Sequence, residues 1–410
     1  MYILQIGSEN MLFLGLLYEK QRENEILKLS KAGLSNAVNK FQWNVIDGLN
    51  ENMDKPLEVI NLLPVGTYPK SYKRLFLMTK KWNYESMINN IEIGTINIHF
   101  IKQFIRYKKV KKEIHNRMKL KDIDNILIYS TYLPFLKAIN KLSNNVKVTL
   151  IVTDLPEFYD LAKVSLLKRI LRRLNNIKVY RYLSRVDKFV LLTEEMKVPL
   201  NVGNRPYVVV EGLVNNKDIH CSYKESLMND NNKKVILYTG TLHYKFGIEN
   251  LLEAFLKIES KNYELWLCGS GEAENKIKQL SKKDIRIKFF GYLTASEIEK
   301  LQQRCTVLIN PRQNEGEYTK YSFPSKTMEY MLSGKPVIMY KLDGIPDEYD
   351  DYLFYINGNK PEDLAEKIIE VCEKSEEEIN QFGEKACKFV IENKNSRVQA
   401  QKILKVLDQK

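Results

Sequence analysis

Apolar residues fall in short runs along this chain, separated by polar stretches with helical spacing. Tyr2–Gly7 (YILQIG) reads as a buried strand, followed by a loop, SENMLFLG, that ends at Gly15. Glu19–Ser30 reads as a polar helix. Residues 31–49 (KAGLSNAVNKFQWNVIDGL) read as a Ser-, Asn-, Gln- and Trp-rich loop of the kind that lines substrate pockets; a packed hairpin or helix end is the alternative. Further strands are expected at Leu57–Leu63, Ile91–Asn97, Ile126–Tyr129, Val146–Val152, Asp187–Leu192 and Pro206–Val210, with a helix over Leu133–Leu142. Such alternation predicts a doubly wound parallel sheet.

The pattern restarts after a polar, Asn-rich stretch at 215–232. Val235–Tyr238, Glu264–Cys268, Ile285–Phe290, residues 306–309, Val337–Ile338 and Leu353–Ile356 read as strands, with helices between them and charged helices to the end. Two Rossmann-like domains are therefore expected, an N-terminal one over 1–214 and a C-terminal one over 233–395. The intervening 215–232 is a linker, and 396–410 is a last helix that can pack back on the first domain. Glycines 240, 247, 269, 271 and 291 each follow a strand, where backbones approach ligands in such sheets.

One segment stands out, YSFPSKTMEYMLSGKPVI (321–338). Pro324 favours extended geometry before it, Ser325 is a suitable N-cap, and Gly334 a suitable residue after the helix end. The opening turn of that helix presents free N–H groups and a positive dipole end, which suit a phosphate. Lys326 is a cation in the wrong turn for the helix itself, which an anionic ligand explains. Glu329 lies at i+3 from it, on the same face.

Composition narrows the choice. At 410 residues the chain exceeds one ordinary core. No apolar run reaches membrane-spanning length, and we read no signal peptide. Five scattered cysteines and four isolated histidines fit free thiols and no zinc site. The net charge of +13 lies wholly in residues 1–230, with 36 Lys+Arg against 23 Asp+Glu; residues 231–410 carry 28 of each. An anionic partner is expected: nucleic acid, an acidic membrane or a phosphorylated substrate. Two basic stretches, 102–121 and 161–186, carry apolar residues at helical spacing. Either they are core helices with solvated rims or they lie on an anionic membrane. No nucleic-acid-binding motif is present, and no nucleic acid partner is expected.

The segments VILYTGTLHYKFGIENLLEAF, ELWLCGSGEAENKI, IKFFGYLTASEIEKLQQRCTVLINP and SFPSKTMEYMLSGKPVI resemble a GT-B glycosyltransferase of family 4, of the bacterial capsule, exopolysaccharide and O-antigen type. In the first half, LSNAVNKFQWNVIDGL, VTDLPEF and DKFVLLTEEM are similar to segments of the same enzymes. The resemblance implies an α/β GT-B fold, with two Rossmann-like domains around an interdomain cleft. It also implies metal-independent transfer from a nucleotide-sugar donor, with no cofactor. The one D-x-D, Asp122-Ile123-Asp124, precedes a strand and reads as a loop cap.

Carried over by position, Glu329 binds the donor ribose, and Ser325, Lys326 and Thr327 hold the diphosphate. Gly240 and Gly269 line the approach, and Gly291, Tyr292 and Leu293 hold the base. The first glutamate of the E-x7-E motif falls on Tyr321, with Glu315 and Glu317 near enough to substitute for it. The usual basic pair of the glycine loop falls on Thr241 and Phe246, with Lys245 one place away. Lys326, assisted by Lys245, is expected to neutralise the leaving diphosphate. Asp154 stands where many members have a histidine; it binds the acceptor hydroxyl, acts as a base, or caps the helix after Pro156.

The implied function is a retaining transfer of a sugar to a saccharide or polyprenyl-diphosphate-linked acceptor in bacterial surface polysaccharide synthesis. The chain would be cytoplasmic and peripheral on the inner membrane face, through the basic first domain. The competing readings are a non-catalytic GT-B partner subunit and an epimerase of the same fold, though the latter lacks the expected acidic and histidine cluster.

Overall fold

The computed structural model describes residues 10–31, 34, 36–158, 166–215 and 233–409. The chain divides into two compact units, one running to Asn215 and resuming at Ser396, the other Asn216–Asn395. The expected strand Tyr2–Gly7, the stretch 216–232 and residues 161–165 lie outside the described residues.

The first unit contains β1 (Met11–Gly15), α1 (Glu23–Leu29), α2 (Asn36–Asn52), β2 (Glu58–Asn61), β3 (Phe76–Leu77), β4 (Lys80–Tyr84), β5 (Met87–Glu92) and β6 (Thr95–Ile96). It continues with α3 (His99–Leu120), β7 (Asn125–Tyr129), α4 (Leu133–Ile139), β8 (Lys147–Val152), α5 (Leu166–Tyr182), β9 (Lys188–Leu191) and β10 (Tyr207–Val209). Eight strands form one sheet in the order β10-β9-β8-β7-β1-β2-β5-β4. All described pairings in it are parallel except β4 with β5 at the edge. β1 and β7 are buried along their whole length, as apolar runs at the centre of a parallel sheet must be.

Two expectations are corrected here. Residues 11–15, assigned to a loop, are the central strand β1, because MLFLG is apolar without interruption and fits a strand covered on both faces. Residues 31–49, read as a pocket-lining loop, are largely helix α2. Its apolar periodicity is broken because the buried face carries amides. Gln42 Oε1 accepts the Leu16 N–H at 2.8 Å while its Nε2 donates to Leu16 O at 2.7 Å. Asn39 grips both backbone groups of Tyr18 at 2.9 and 3.1 Å, and Asn61 of β2 those of Leu17 at 2.9 and 2.8 Å. Three amide side chains thus replace a ladder for three consecutive residues after β1, so that turn is rigid and its polar groups are satisfied.

α3 has an unusual polarity. Lys102 and Arg106 are buried, with Lys102 Nζ 2.5 Å from Val65 O and Arg106 Nη2 2.6 Å from Leu63 O. Phe100, Ile101 and Phe104 are exposed. Part of the basic charge of 102–121 is therefore structural, tying the loop after β2. On α5, Ile170, Leu171, Leu174 and Ile177 form an exposed apolar stripe, while Val179 faces inward.

The second unit contains β11 (Lys234–Thr239), α6 (Ile248–Leu256), β12 (Tyr263–Cys268), α7 (Glu274–Lys283), β13 (Ile287–Gly291) and α8 (Ala295–Arg304). It continues with β14 (Val307–Asn310), α9 (Ser325–Leu332), β15 (Val337–Met339), β16 (Phe354–Tyr355), α10 (Pro361–Cys372) and α11 (Glu376–Asn393). Its six strands run β13-β12-β11-β14-β15-β16 with every pairing parallel. Strand order changes direction between β11 and β14. The described cysteines 268, 305, 372 and 387 are all buried and outside any disulfide, and burial pushes the thiols of Cys268, Cys305 and Cys372 up to about 12. The last helix, α12 (Ser396–Leu407), belongs to the first unit, where it packs against α2. Gly48 permits that approach: a Cβ there would stand 2.1 Å from Ser396 O.

Candidate functional site

In an open parallel sheet the ligand crevice lies beyond the carboxyl ends of the strands, where the order reverses. In the second unit that point is between β11 and β14, and the loops there are packed backbone to backbone. Gly247 has φ +80°, and a Cβ on it would stand 1.8 Å from Pro311 O, so only glycine lets the β11 loop meet the β14 loop. Gly269 has φ +137°, with its Cβ position 1.7 Å from Gly240 O, which joins the loops after β12 and β11 in the same way.

Side chains complete the tie. Tyr238 Oη donates to Thr241 O at 2.8 Å, and Glu272 Oε1 accepts the Tyr244 N–H at 3.0 Å and lies 2.9 Å from His243 Nδ1. The buried Tyr330 hydroxyl accepts the Thr239 N–H at 2.8 Å and donates to Thr239 O at 2.9 Å, fixing α9 to the end of β11. Burial raises the Tyr330 and Tyr238 phenols well above their ordinary range, so both stay protonated donors.

Helix α9 starts at Ser325, with Pro324 and not Ser325 in the N-cap position, and no side-chain cap bond is described there. Ser325 is thus inside the first turn, and the N–H groups of 325 and 326 open the helix. Lys326 Nζ lies 2.6 Å from Glu329 Oε2, so the cation expected to await an anion is paired along its own helix. Thr327 is buried, whereas Lys326 and Glu329 are each partly exposed. Tyr321 is half-buried and ends the 3-10 turn Glu317–Tyr321; Glu315 is exposed just before it.

The structure therefore gathers Gly240, Thr241, Lys245, Gly269, Gly291, Tyr292, Leu293, Glu315, Tyr321, Ser325, Lys326, Thr327 and Glu329 in one unit, each in α9 or in a loop at or beyond the carboxyl end of a strand. Tyr292 is 72% exposed, an aromatic face open to a flat partner. Asp154 belongs to the other unit, after β8, with Thr153 Oγ1 3.4 Å from its Oδ2. Leu155–Phe158 form a turn, with Phe158 N–H donating to Leu155 O at 2.9 Å. Asp124 of the D-x-D accepts the Asn10 N–H at 3.0 Å, an anchoring role. Among the described residues no three His, Cys, Asp or Glu side chains cluster as metal ligands.

Sequence reading passed over Arg312. It lies two residues past the end of β14, after Pro311; its guanidinium carbon lies 4.9 Å from the Tyr318 ring centroid and 5.9 Å from that of Phe246, and Nη2 donates to Ser322 Oγ at 2.7 Å. The signal available was an Asn-Pro-Arg directly after a strand end.

Residues 222–389 match the family described as Glycosyl transferases group 1. An uncharacterized glycosyltransferase of Methanocaldococcus jannaschii is 29% identical over 128 residues, which is 30% of this chain and 31% of that relative. The chain thus spans about a third of the curated relative it matches. Among solved structures, the chain is similar to sucrose-phosphate synthase from Thermosynechococcus elongatus, with TM-score 0.65, 12% identity, and 97% of this chain and 98% of that one covered. It is also similar to an Escherichia coli trehalose-6-phosphate protein bound with UDP-2-fluoro glucose, with TM-score 0.67, 11% identity, and coverage of 98% and 99%. Anabaena HepE in complex with UDP and glucose gives TM-score 0.62, 14% identity, and coverage of 98% and 100%. These likenesses establish the GT-B fold class expected from the sequence: two Rossmann-like parallel-sheet domains.

Proposed function

We propose that the chain is a glycosyltransferase that moves a sugar from a nucleotide-sugar donor to a saccharide or polyprenyl-diphosphate-linked acceptor in surface polysaccharide synthesis, with retention at the anomeric carbon. The observation that carries this reading is the set of loops after β11, β12 and β14, locked together by glycine contacts and by Tyr330 around the opening of α9. The family match over 222–389 supports it, as do similar structures in complex with UDP or a UDP-sugar. In this reading the first turn of α9, Ser325–Thr327, holds the diphosphate through the amides of Ser325 and Lys326, since the Thr327 N–H donates to Pro324 O at 2.8 Å; Glu329 holds the ribose, and Gly291, Tyr292 and Leu293 the base. Gly240, Thr241 and Gly269 line the approach, Lys245 and Lys326 add positive charge, and Tyr321 and Glu315 border the sugar. In the transfer, the bond from anomeric carbon to diphosphate oxygen breaks, and the acceptor oxygen bonds to that carbon and loses its proton. Amides and cations fixed in advance stabilise the charge on the departing diphosphate. Asp154 is assigned to the acceptor hydroxyl or its proton.

The same reading places the first unit on an anionic membrane surface. No helix among the described residues is long and apolar enough to cross a membrane. What supports surface contact is α5, where the exposed stripe of Ile170, Leu171, Leu174 and Ile177 lies beside Arg169 and Arg173, also exposed.

A thermal-shift screen of the purified chain against nucleoside diphosphates and nucleotide sugars tests the donor reading. One base and sugar should raise the melting temperature above the rest. Absence of a shift with every member contradicts the reading and favours a non-catalytic partner subunit.

A further inference from the structure

We propose that the opening of α3, with the β3–β6 edge beside it, is an apolar wedge that enters an anionic lipid surface. This extends the surface contact assigned to α5 and is tested apart from it. Phe100 and Met78 are each 71% exposed, Phe76 62% and Phe104 58%, with Ile98 and Ile101 also exposed. These six residues are neighbours. Phe76 pairs with Ile96 in the β3–β6 register, Ile98 directly precedes α3, and Phe100, Ile101 and Phe104 fall on one side of its first two turns. A helix in a soluble domain turns such residues inward. α3 does the reverse: its inward positions are Lys102 and Arg106, which donate to the carbonyls of Val65 and Leu63. The edge beside it is closely tied. A Cβ on Gly94 would stand 2.3 Å from Leu77 O, and Asn97 Nδ2 donates to Gly66 O at 3.0 Å.

Charge and shape select a lipid surface as the occupant. α3 carries eight Lys and Arg against one acidic residue, Glu113, which Arg117 holds at 2.9 Å. Lys108, Lys111, Lys112 and Lys119 are exposed further along the helix, and Lys108 Nζ lies 5.4 Å from the Phe104 ring centroid. Lys80 and Lys81 are exposed just after Met78. Side chains more than half exposed stand clear of the surface, where acyl chains can close around them while anionic head groups meet the cations. α3 packs on α4 and α4 on α5, so the wedge and the α5 stripe belong to one helical layer of the first unit. The wedge also lies beyond the carboxyl ends of β2 and β5, the same edge of the sheet at which Asp154 follows β8. A lipid surface there stands beside the residue assigned to the acceptor.

The test uses full-length protein and phosphatidylcholine vesicles with and without phosphatidylglycerol. Phe100→Ser with Phe104→Ser should weaken binding to the phosphatidylglycerol vesicles about tenfold or more and leave nucleotide affinity unaltered. In a separate variant, Phe100→Trp, brominated acyl chains should quench fluorescence beyond the quenching seen in wild type. The proposal is overturned if the double variant binds as wild type does, if bound Phe100→Trp shows no added quenching, or if pure phosphatidylcholine vesicles bind equally well. A dimer that the double variant abolishes, without vesicle binding, assigns the face to a second copy and also overturns it. If the double variant does not fold, quenching in Phe100→Trp decides. Added quenching that survives Leu174→Glu with Ile177→Glu supports the wedge and removes α5 alone. Wild type that binds no vesicle overturns both contacts and leaves the donor reading to the nucleotide screen.

Discussion

Lys326 and Glu329 form an ion pair of 2.6 Å, three residues apart on the first turn and a half of α9. An exposed pair at this spacing contributes only about 0.5 kcal/mol to the helix. Its consequence is positional: the ammonium holds the carboxylate toward the helix opening, where the donor ribose is assigned. Lys326→Ala should therefore lower nucleotide-sugar affinity severalfold or more while the melting temperature stays within about a degree. Glu329→Gln should lower it further. Calorimetry on the two variants checks this, and undiminished affinity in Lys326→Ala removes Lys326 from the donor site.

The amide clamps on Leu16, Leu17 and Tyr18 should be costly to break. Gln42→Leu keeps the bulk but strands the Leu16 N–H and C=O, and each lost partner of a buried polar group costs about 1–3 kcal/mol. A loss of about 2–5 kcal/mol in urea-unfolding stability is expected, reported by the signal of Trp43, whose Nε1 donates to Tyr18 O at 2.9 Å.

Lys102 gives a pH signature. Burial, and then the charge of Arg106, lower its ammonium from the ordinary range to about 7. Between pH 7 and 10 the unfolded chain holds this proton and the folded chain does not, so stability rises with pH in that window. The contribution approaches about 1.4 kcal/mol per pH unit at most. Lys102→Met should remove that slope, so in denaturant unfolding at pH 7, 8 and 9 the stability of wild type minus that of the variant should rise with pH; a pH-independent difference would contradict it.

The stripe on α5 predicts surface binding. Leu174→Glu with Ile177→Glu should abolish sedimentation with anionic phosphatidylglycerol vesicles and leave nucleotide affinity unaltered, since α5 lies in the other unit. Equal sedimentation of variant and wild type would remove this face from the membrane account.

Much of this was legible from sequence because its cause is local. β11, β12 and β14 are short apolar runs ended by glycine or proline, and α9 is bounded by Pro324 and Gly334, the latter at φ +74°. What was hidden depends on partners distant in sequence. The buried side of α2 is polar because Gln42 and Asn39 bind a turn more than twenty residues away, so apolar periodicity could not reveal that helix. The inward cations of α3 look like a solvated basic face until the carbonyls of Leu63 and Val65 are placed against them. Lys326 looked unpaired because the i+3 carboxylate was given to the ligand instead of to its neighbour. Arg312 has no motif of its own, and its contacts with Phe246, Tyr318 and Ser322 come from separate loops that only the fold brings together.

The most direct test of the central claim is a crystal structure of the full chain with the nucleoside diphosphate that gives the largest thermal shift. The account predicts the diphosphate within hydrogen-bonding reach of the Ser325 and Lys326 amides at the opening of α9, with the ribose hydroxyls on Glu329. A nucleotide bound away from the opening of α9, or with its ribose directed away from Glu329, would contradict it.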